Sequence, residues 1–305
     1  MTAFTHILCP VDFSEFSRRA LRYAAGTARW YGARLTVLHV FPDIPVANVI
    51  PSLAMAGSAE AINRGEGRVR VNELMERWAA EIVPAGVTAD LLVRDERNAA
   101  AEIANDAGVL HADLVVMGSH GRTGYERLLL GSIAERVVRT APCPVIVVPS
   151  HATGEVPPGD QHFDTVLCAV DFSEASLEAV TAAAELAEDV DARLTLLTVI
   201  DGDGGRDPGL PANDLEGALA ADTAARRRHL DQLVPHSARG YCRIETMVGH
   251  GRPAQEIVRV ASESGSDLVV MGVAPRHALS RLVFGSTTHE VLQGAACPVL
   301  LLHRV

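Results

Sequence analysis

From Val115 to Ile133 the chain reads VVMGSHGRTGYERLLLGSI. An apolar run ends in Gly118, Gly121 follows, and Gly131 with Ser132 opens a second apolar, helix-like segment, giving a G-x2-G-x9-G-S spacing. Glycines let a backbone adopt positive φ and approach a ligand closely, and a helix start offers unpaired N–H groups at the positive end of its dipole. Together they would cradle an anion, above all a phosphate. Arg122 and His120 lie within the same stretch and could meet it. A purely structural reading stands beside this one. Glycines after a strand can serve only a turn, and Ser132-x-x-Glu135 is a capping box that starts a helix with no ligand present.

Elements must bring such residues together. Thr5–Val11 is a short apolar run ending at Asp12, and Ser14 or Asp12 can cap the helix that follows to about Tyr31, where Gly32 stops it. In that helix Phe16, Ala20, Ala24, Ala28 and Tyr31 recur at helical spacing, which leaves Arg18, Arg19, Arg22 and Arg29 for the solvent side. Arg34–Phe41 is a near-continuous apolar strand, of the kind found in parallel sheets covered on both faces. Phe41–Gly67 reads as a long loop with one helical turn around Ser52–Asn63. Helices then fit Arg68–Ile82, Ala99–Ala107 and Ser132–Arg139, and strands fit Thr88–Arg94, Leu114–Met117 and Val145–Val148. This alternation means an α/β fold with a parallel sheet, in which ligands bind beyond the carboxyl ends of the strands where strand order reverses. Asp12, Val40 and Gly118 to Gly121 all fall at such ends. Asp12 would suit a ribose hydroxyl, the backbone at Val40 an adenine edge, and the glycines with Ser132 a phosphate chain. Asp95, Glu96 and Arg97 could reach that site, with a solvated charge run as the favoured reading.

The chain is written twice. Cys9-Pro-Val-Asp-Phe-Ser14 returns as Cys168-Ala-Val-Asp-Phe-Ser173, and Asp113-Leu-Val-Val-Met-Gly118 as Asp267-Leu-Val-Val-Met-Gly272. The second copy is shorter between its second and fourth strands. Residues 151–160, rich in Pro and Gly, read as a linker between domains at 1–150 and 161–305. Duplication implies a pseudo-twofold pair of halves, like an isologous homodimer fused into one chain. In the second copy Pro275 stands where the first has Gly121, while Gly285 and Ser286 keep their places. Proline fixes φ and has no N–H, so that site should be weak or silent, with Asp171 and Ser286 kept as helix caps.

With 305 residues, a net charge of −11 and 48% apolar residues, the chain suits two soluble domains and no broad nucleic-acid or anionic-membrane surface. It shows no membrane-length apolar run and no secretory pattern at Met1–Glu15, so a cytoplasmic location is expected. Its five cysteines form no CxxC pair, and four sit in apolar runs as core. No metal-ligand spacing occurs, so Mg²⁺ would arrive only with a nucleotide.

The Val-Asp-Phe-Ser turn, the Val-Val-Met-Gly strand end and the G-x2-G-x9-G-S spacing, in order and in two copies, resemble a tandem universal stress protein of the ATP-binding branch. The resemblance covers essentially the whole chain. It implies two Rossmann-like domains, each a five-stranded parallel sheet of order 3-2-1-4-5 with helices on both faces. It also implies adenine-nucleotide binding in stress adaptation, with Asp12 on the ribose and adenine side, Val40 at the adenine, and Gly118, Gly121, Gly131 and Ser132 around the phosphates. The turn Val93-Arg-Asp-Glu-Arg-Asn98 departs from the family's Gly-x-Pro pattern, which Gly251-Arg-Pro253 keeps in the second copy. An ATP-binding regulator is the leading expectation, ahead of a slow ATPase and of an interaction module with vestigial sites. No Walker A pattern or nucleophile–base spacing supports an enzyme. Beyond the internal pair, a further homodimer remains open.

Overall fold

The computed structural model describes residues 4–41, 64–96, 98–121, 130–149, 163–202, 212–234, 243–273 and 285–303. In the first copy they form β1 (His6–Pro10), α1 (Glu15–Tyr31), β2 (Arg34–Phe41), α2 (Arg64–Ile82), β3 (Ala89–Asp95), α3 (Ala99–Val109), β4 (Leu114–Gly118), α4 (Ser132–Thr140) and β5 (Val145–Val148). The second repeats the pattern as β6 (Thr165–Ala169), α5 (Glu174–Val190), β7 (Arg193–Ile200), α6 (Ala212–Leu233), β8 (Ile244–His250), α7 (Pro253–Glu263), β9 (Leu268–Val273), α8 (Ser286–Gly294) and β10 (Val299–His303).

All ten strands share one sheet, in the order β3-β2-β1-β4-β5-β10-β9-β6-β7-β8. Each half is the expected 3-2-1-4-5 Rossmann-like arrangement. Pairing is parallel except where β5 meets β10 antiparallel, with Val145 opposite Leu301, Ile146 opposite Leu300 and Val147 opposite Val299. That register is symmetric about Ile146 and Leu300, which are equivalent positions of the two copies, so the pseudo-twofold axis passes between them. Both are essentially inaccessible to solvent.

Two cores run the length of this sheet. On one face, Ala20, Leu21 and Ala24 of α1, Met75 and Trp78 of α2, and their second-domain counterparts cover Ile7, Leu35 and Val116. On the other, Ile103 and Ala107 of α3, Val137 of α4, and Ile257 and Val291 of the second domain cover Leu8, Val115 and Val147. Strand side chains alternate between these faces, and apolar residues on both sides make the strands read as unbroken apolar runs.

Local chemistry sets the helix ends. Ser14 is the N-cap of α1 and accepts from the Ser17 amide, and Gly32 closes the helix at φ 64°. At the matching end of α5 a non-glycine, Asp191, holds the left-handed position at φ 55°. Helix α2 starts at Arg64, earlier than the expected Arg68. The helical turn expected around 52–63 and the linker at 151–160 lie outside the described residues. Arg18, expected in solvent, instead lies over the Trp78 ring at 4.7 Å and pairs with Glu15 and Glu81. Its aliphatic stem covers the aromatic ring while the head reaches the carboxylates.

Candidate functional site

The sheet brings Asp12, Val40, Gly118, Gly121 and Gly131 to the carboxyl ends of β1, β2 and β4. Asp12 follows β1 and is half-buried. Its Oδ1 accepts hydrogen bonds from the Ser14 amide at 3.0 Å and the Ser14 hydroxyl at 2.6 Å. The carboxylate therefore supports the cap without being the cap, which corrects one of the two sequence alternatives. The following residue, Phe13, sits at φ 65°, a left-handed conformation unusual for a bulky side chain. Its ring is wedged against His39, with centroids 4.6 Å apart, and against the edge of Trp78 at 5.2 Å. His39 in turn is fixed through Nδ1 on the Val11 carbonyl at 2.7 Å. Packing thus holds the turn that aims Asp12. The second domain keeps the device, with Phe172 at φ 61° stacked on His229 at 4.4 Å.

The three glycines serve for reasons of space and not of handedness. None of them is among the residues with positive φ, contrary to the sequence argument for a left-handed backbone. At Gly118 a Cβ would stand 3.0 Å from the backbone carbon and oxygen of Phe16, so this glycine lets β4 approach the first turn of α1. Gly272 does the same for Ala175, more tightly. Gly118 is therefore explained by helix–strand packing. At Gly121 the obstacle is of another kind: a Cβ would lie 2.7 Å from Asp12 Oδ2. The bare backbone of the loop comes up against the carboxylate. Gly131 donates its N–H to the Ser119 carbonyl at 2.8 Å, and a Cβ there would stand 3.1 Å from that oxygen, which ties the start of α4 to the loop after β4.

Ser132 is exposed and is the first helical residue, so the capping box does not form. Gly131 occupies the cap and offers no side chain to the first-turn amides, and Glu135 donates its N–H to the Gly131 carbonyl. The same shift makes Gly285, and not Ser286, the N-cap of α8. Among the described residues no side chain caps the first-turn N–H groups of α4, whose start lies against the loop after β4, an arrangement suited to an anion.

Val40 is half-buried near the end of β2 and pairs in register with Arg94 of β3. His120, beside Gly121, receives the Ser119 hydroxyl's contact at Nδ1 (2.9 Å) and rests on the Phe16 ring, while its buried Nε2 has no hydrogen-bond partner among the described residues. Arg122 lies outside the described residues, as does Pro275 of the second copy. In that copy, burial pushes the Asp171 carboxyl up, but hydrogen bonds from the Ser173 hydroxyl and amide and from Ser176 outweigh it and hold the group below the ordinary carboxylate range. Asp171 accepts from the Ser173 amide at 3.0 Å, and Ser173 is the cap. Among the described residues no group of three or more His, Cys, Asp or Glu could hold a metal ion, and no helix is long and apolar enough to cross a membrane.

One charged cluster escaped the sequence reading. Arg94 forms a forked pair with Asp106 of α3, with Nη2 to Oδ1 at 2.9 Å and Nε to Oδ2 at 3.0 Å, and Asp106 is only 1% exposed. The available signal was an aspartate on the apolar stripe of Ala100, Ile103 and Ala107. Asp95, read as solvated, does pair at the surface with Arg68 at 2.9 Å.

The sequence model of the Universal stress protein family matches residues 3–149 and again 162–303. Universal stress protein Slr1230 of Synechocystis is 26% identical over 97% of this chain and 98% of its own length. Universal stress protein Rv2005c of Mycobacterium tuberculosis is 29% identical over 97% of this chain and 96% of its own. Among solved structures, a universal stress protein from Archaeoglobus fulgidus superposes with a TM-score of 0.68 at 21% identity, covering 98% of both chains, a likeness of fold.

Proposed function

This chain belongs to the universal stress protein family, and we propose that it is an ATP-binding stress-response regulator whose nucleotide is held in the first domain. The observation that carries the reading is the meeting of Asp12, Gly121 and the start of α4 at one point. Glycine at 121 keeps a side chain from striking the carboxylate, and Gly131 leaves the helix start without a side-chain cap. In this reading Asp12 accepts from the ribose hydroxyls, the strand end at Val40 meets the adenine edge, and the Gly121 loop with the amides of α4 receives the phosphates. Ser132 adds a hydroxyl at the helix start, and Arg122 belongs to the set by its place in the motif. Gly118 supports the loop through packing. Mg²⁺ enters only as the counter-ion of the triphosphate. The site is assigned no catalytic residue, and the protein works in the cytoplasm as an internally paired chain.

Support for confining the nucleotide to the first domain comes from Pro275, which replaces the Gly121 position with a residue lacking an N–H donor. The test is mass spectrometry of small molecules released when the purified protein is denatured, followed by addition of ATP to the stripped chain. Retained or rebound adenine nucleotide is expected. A chain that neither carries nor takes up any would overturn the reading.

A further inference from the structure

The carboxyl ends of β2 and β3 carry a fixed cation, Arg94, at a register position that is glycine in the second domain. Val40 and Arg94 are register partners, so their side chains leave the same face of the sheet, the face covered by α3 and α4. There the Arg94 guanidinium grips Asp106 through Nε and Nη2, and Glu102 lies 3.7 Å from Nε. A buried carboxylate needs such a partner, and this one fixes the guanidinium plane in return. Nη1 takes no part in the fork, and 38% of the Arg94 side chain is exposed.

In the second domain the place of Arg94 is taken by a glycine. Sheet register places Gly249 opposite Val199, where the first domain has Arg94 opposite Val40. Helices α3 and α7 correspond residue for residue, so Val260 stands where α3 has Asp106, and Glu256 where it has Glu102. Glu256 lies over the bare backbone: a Cβ at Gly249 would meet its Cγ at 2.5 Å and its Oε1 at 2.8 Å. Arg259 pairs with both oxygens of that carboxylate, Nε at 2.9 Å from Oε2 and Nη2 at 2.5 Å from Oε1.

We propose that Arg94 is the base-side specificity residue of the first-domain site, a guanidinium presented beside Val40 that contacts the purine ring at its π face or at a ring-nitrogen acceptor. Asp106 and Glu102 act through it as positioning residues. The inference rests on the nucleotide reading above and adds the part of the ligand that the glycine motif does not address. A planar, weakly hydrated group already locked by a carboxylate gives up little freedom when a flat ring arrives. A lysine could not keep the fork.

The test is calorimetric titration of the full chain with ATP and, separately, with inorganic triphosphate. Two variants serve: Arg94→Gly/Asp106→Val, which reproduces the second domain's Gly249 and Val260 and leaves no buried carboxylate unpaired, and Arg94→Gln, which keeps a hydrogen-bond donor for Asp106 without the charge. Both are expected to lose roughly tenfold in ATP affinity, the scale of one cation–π contact or hydrogen bond involving a charged group, with triphosphate affinity unchanged. ATP affinity equal to that of the parent in both variants would overturn the proposal. So would triphosphate affinity falling in step with ATP, which would make Arg94 a general positive charge. Failure of the nucleotide reading is distinct, because the parent chain itself would then take up neither compound.

Discussion

Replacing Gly121 with alanine adds one carbon at the place where the loop after β4 meets Asp12. That carbon would stand 2.7 Å from Asp12 Oδ2 and 3.8 Å from its Cγ. A Cβ essentially never lies within 3.0 Å of a non-bonded heavy atom, so either the carboxylate oxygen or the loop must withdraw. The carboxylate is not free to swing, since its Oδ1 accepts from the Ser14 amide at 3.0 Å and hydroxyl at 2.6 Å. Hydrogen bonds to a charged group contribute roughly 1.5–3 kcal/mol, and losing even the lower figure in the bound state corresponds to about a tenfold change in affinity. Alanine brings no backbone strain here, because Gly121 is not among the positive-φ residues. Gly121→Ala is therefore expected to stay folded and to bind ATP at least about tenfold more weakly. Titration calorimetry alongside a thermal melt reads both quantities. Parental ATP affinity in a folded Gly121→Ala protein would refute the argument that this junction forms the ligand site.

Other consequences follow from the same geometry. Gly118→Ala pushes a carbon to 3.0 Å from the Phe16 backbone, which cannot rotate away, so the melting temperature should fall by the equivalent of about 1–3 kcal/mol, and Gly272→Ala, against Ala175, should cost more. Asp171 has a folded-state pKa below its unfolded value, so its contribution to stability is present above the unfolded pKa and is lost as pH falls through the folded one. Melting curves between about pH 2 and pH 6 should therefore show a shallower acid decline for Asp171→Asn than for the parent, and identical slopes would contradict this. Burial pushes the thiols of Cys143, Cys168 and Cys297 up to about 12, and Cys9 is fully enclosed. Iodoacetamide should leave these four peptides unmodified in the native protein and label them in denaturant, as mapped by mass spectrometry.

Much of this fold was legible because the chain states it twice. The strands announced themselves as apolar runs, since the sheet is covered on both faces, and Arg34–Phe41 and Val145–Val148 have the bounds their sequence suggests. The repeat of Val-Asp-Phe-Ser marked the turn after the first strand, but not its cause, the left-handed Phe13 held by His39 and Trp78 from two distant elements. Capping is not legible where it depends on a single residue of register. Ser132 satisfies the composition of a capping box, yet the helix begins one position too early for its hydroxyl to serve as the cap. What the glycines are for is not legible, because sequence cannot distinguish a residue needed for its φ from one needed for lack of a Cβ. Gly118 answers to the α1 backbone and Gly121 to a carboxylate, and only the three-dimensional neighbours tell them apart. The Arg94–Asp106 pair joins a strand to the following helix and has no signature beyond a charged residue on an apolar stripe.

The most direct test is the stoichiometry of ATP binding to the full chain, measured by titration calorimetry on the parent, Gly121→Pro and Asp171→Ala proteins. One site per chain is expected, abolished by Gly121→Pro, which imitates the second domain at Pro275, and untouched by Asp171→Ala. Two equal sites, or binding that survives Gly121→Pro and disappears with Asp171→Ala, would contradict the assignment of the nucleotide to the first domain.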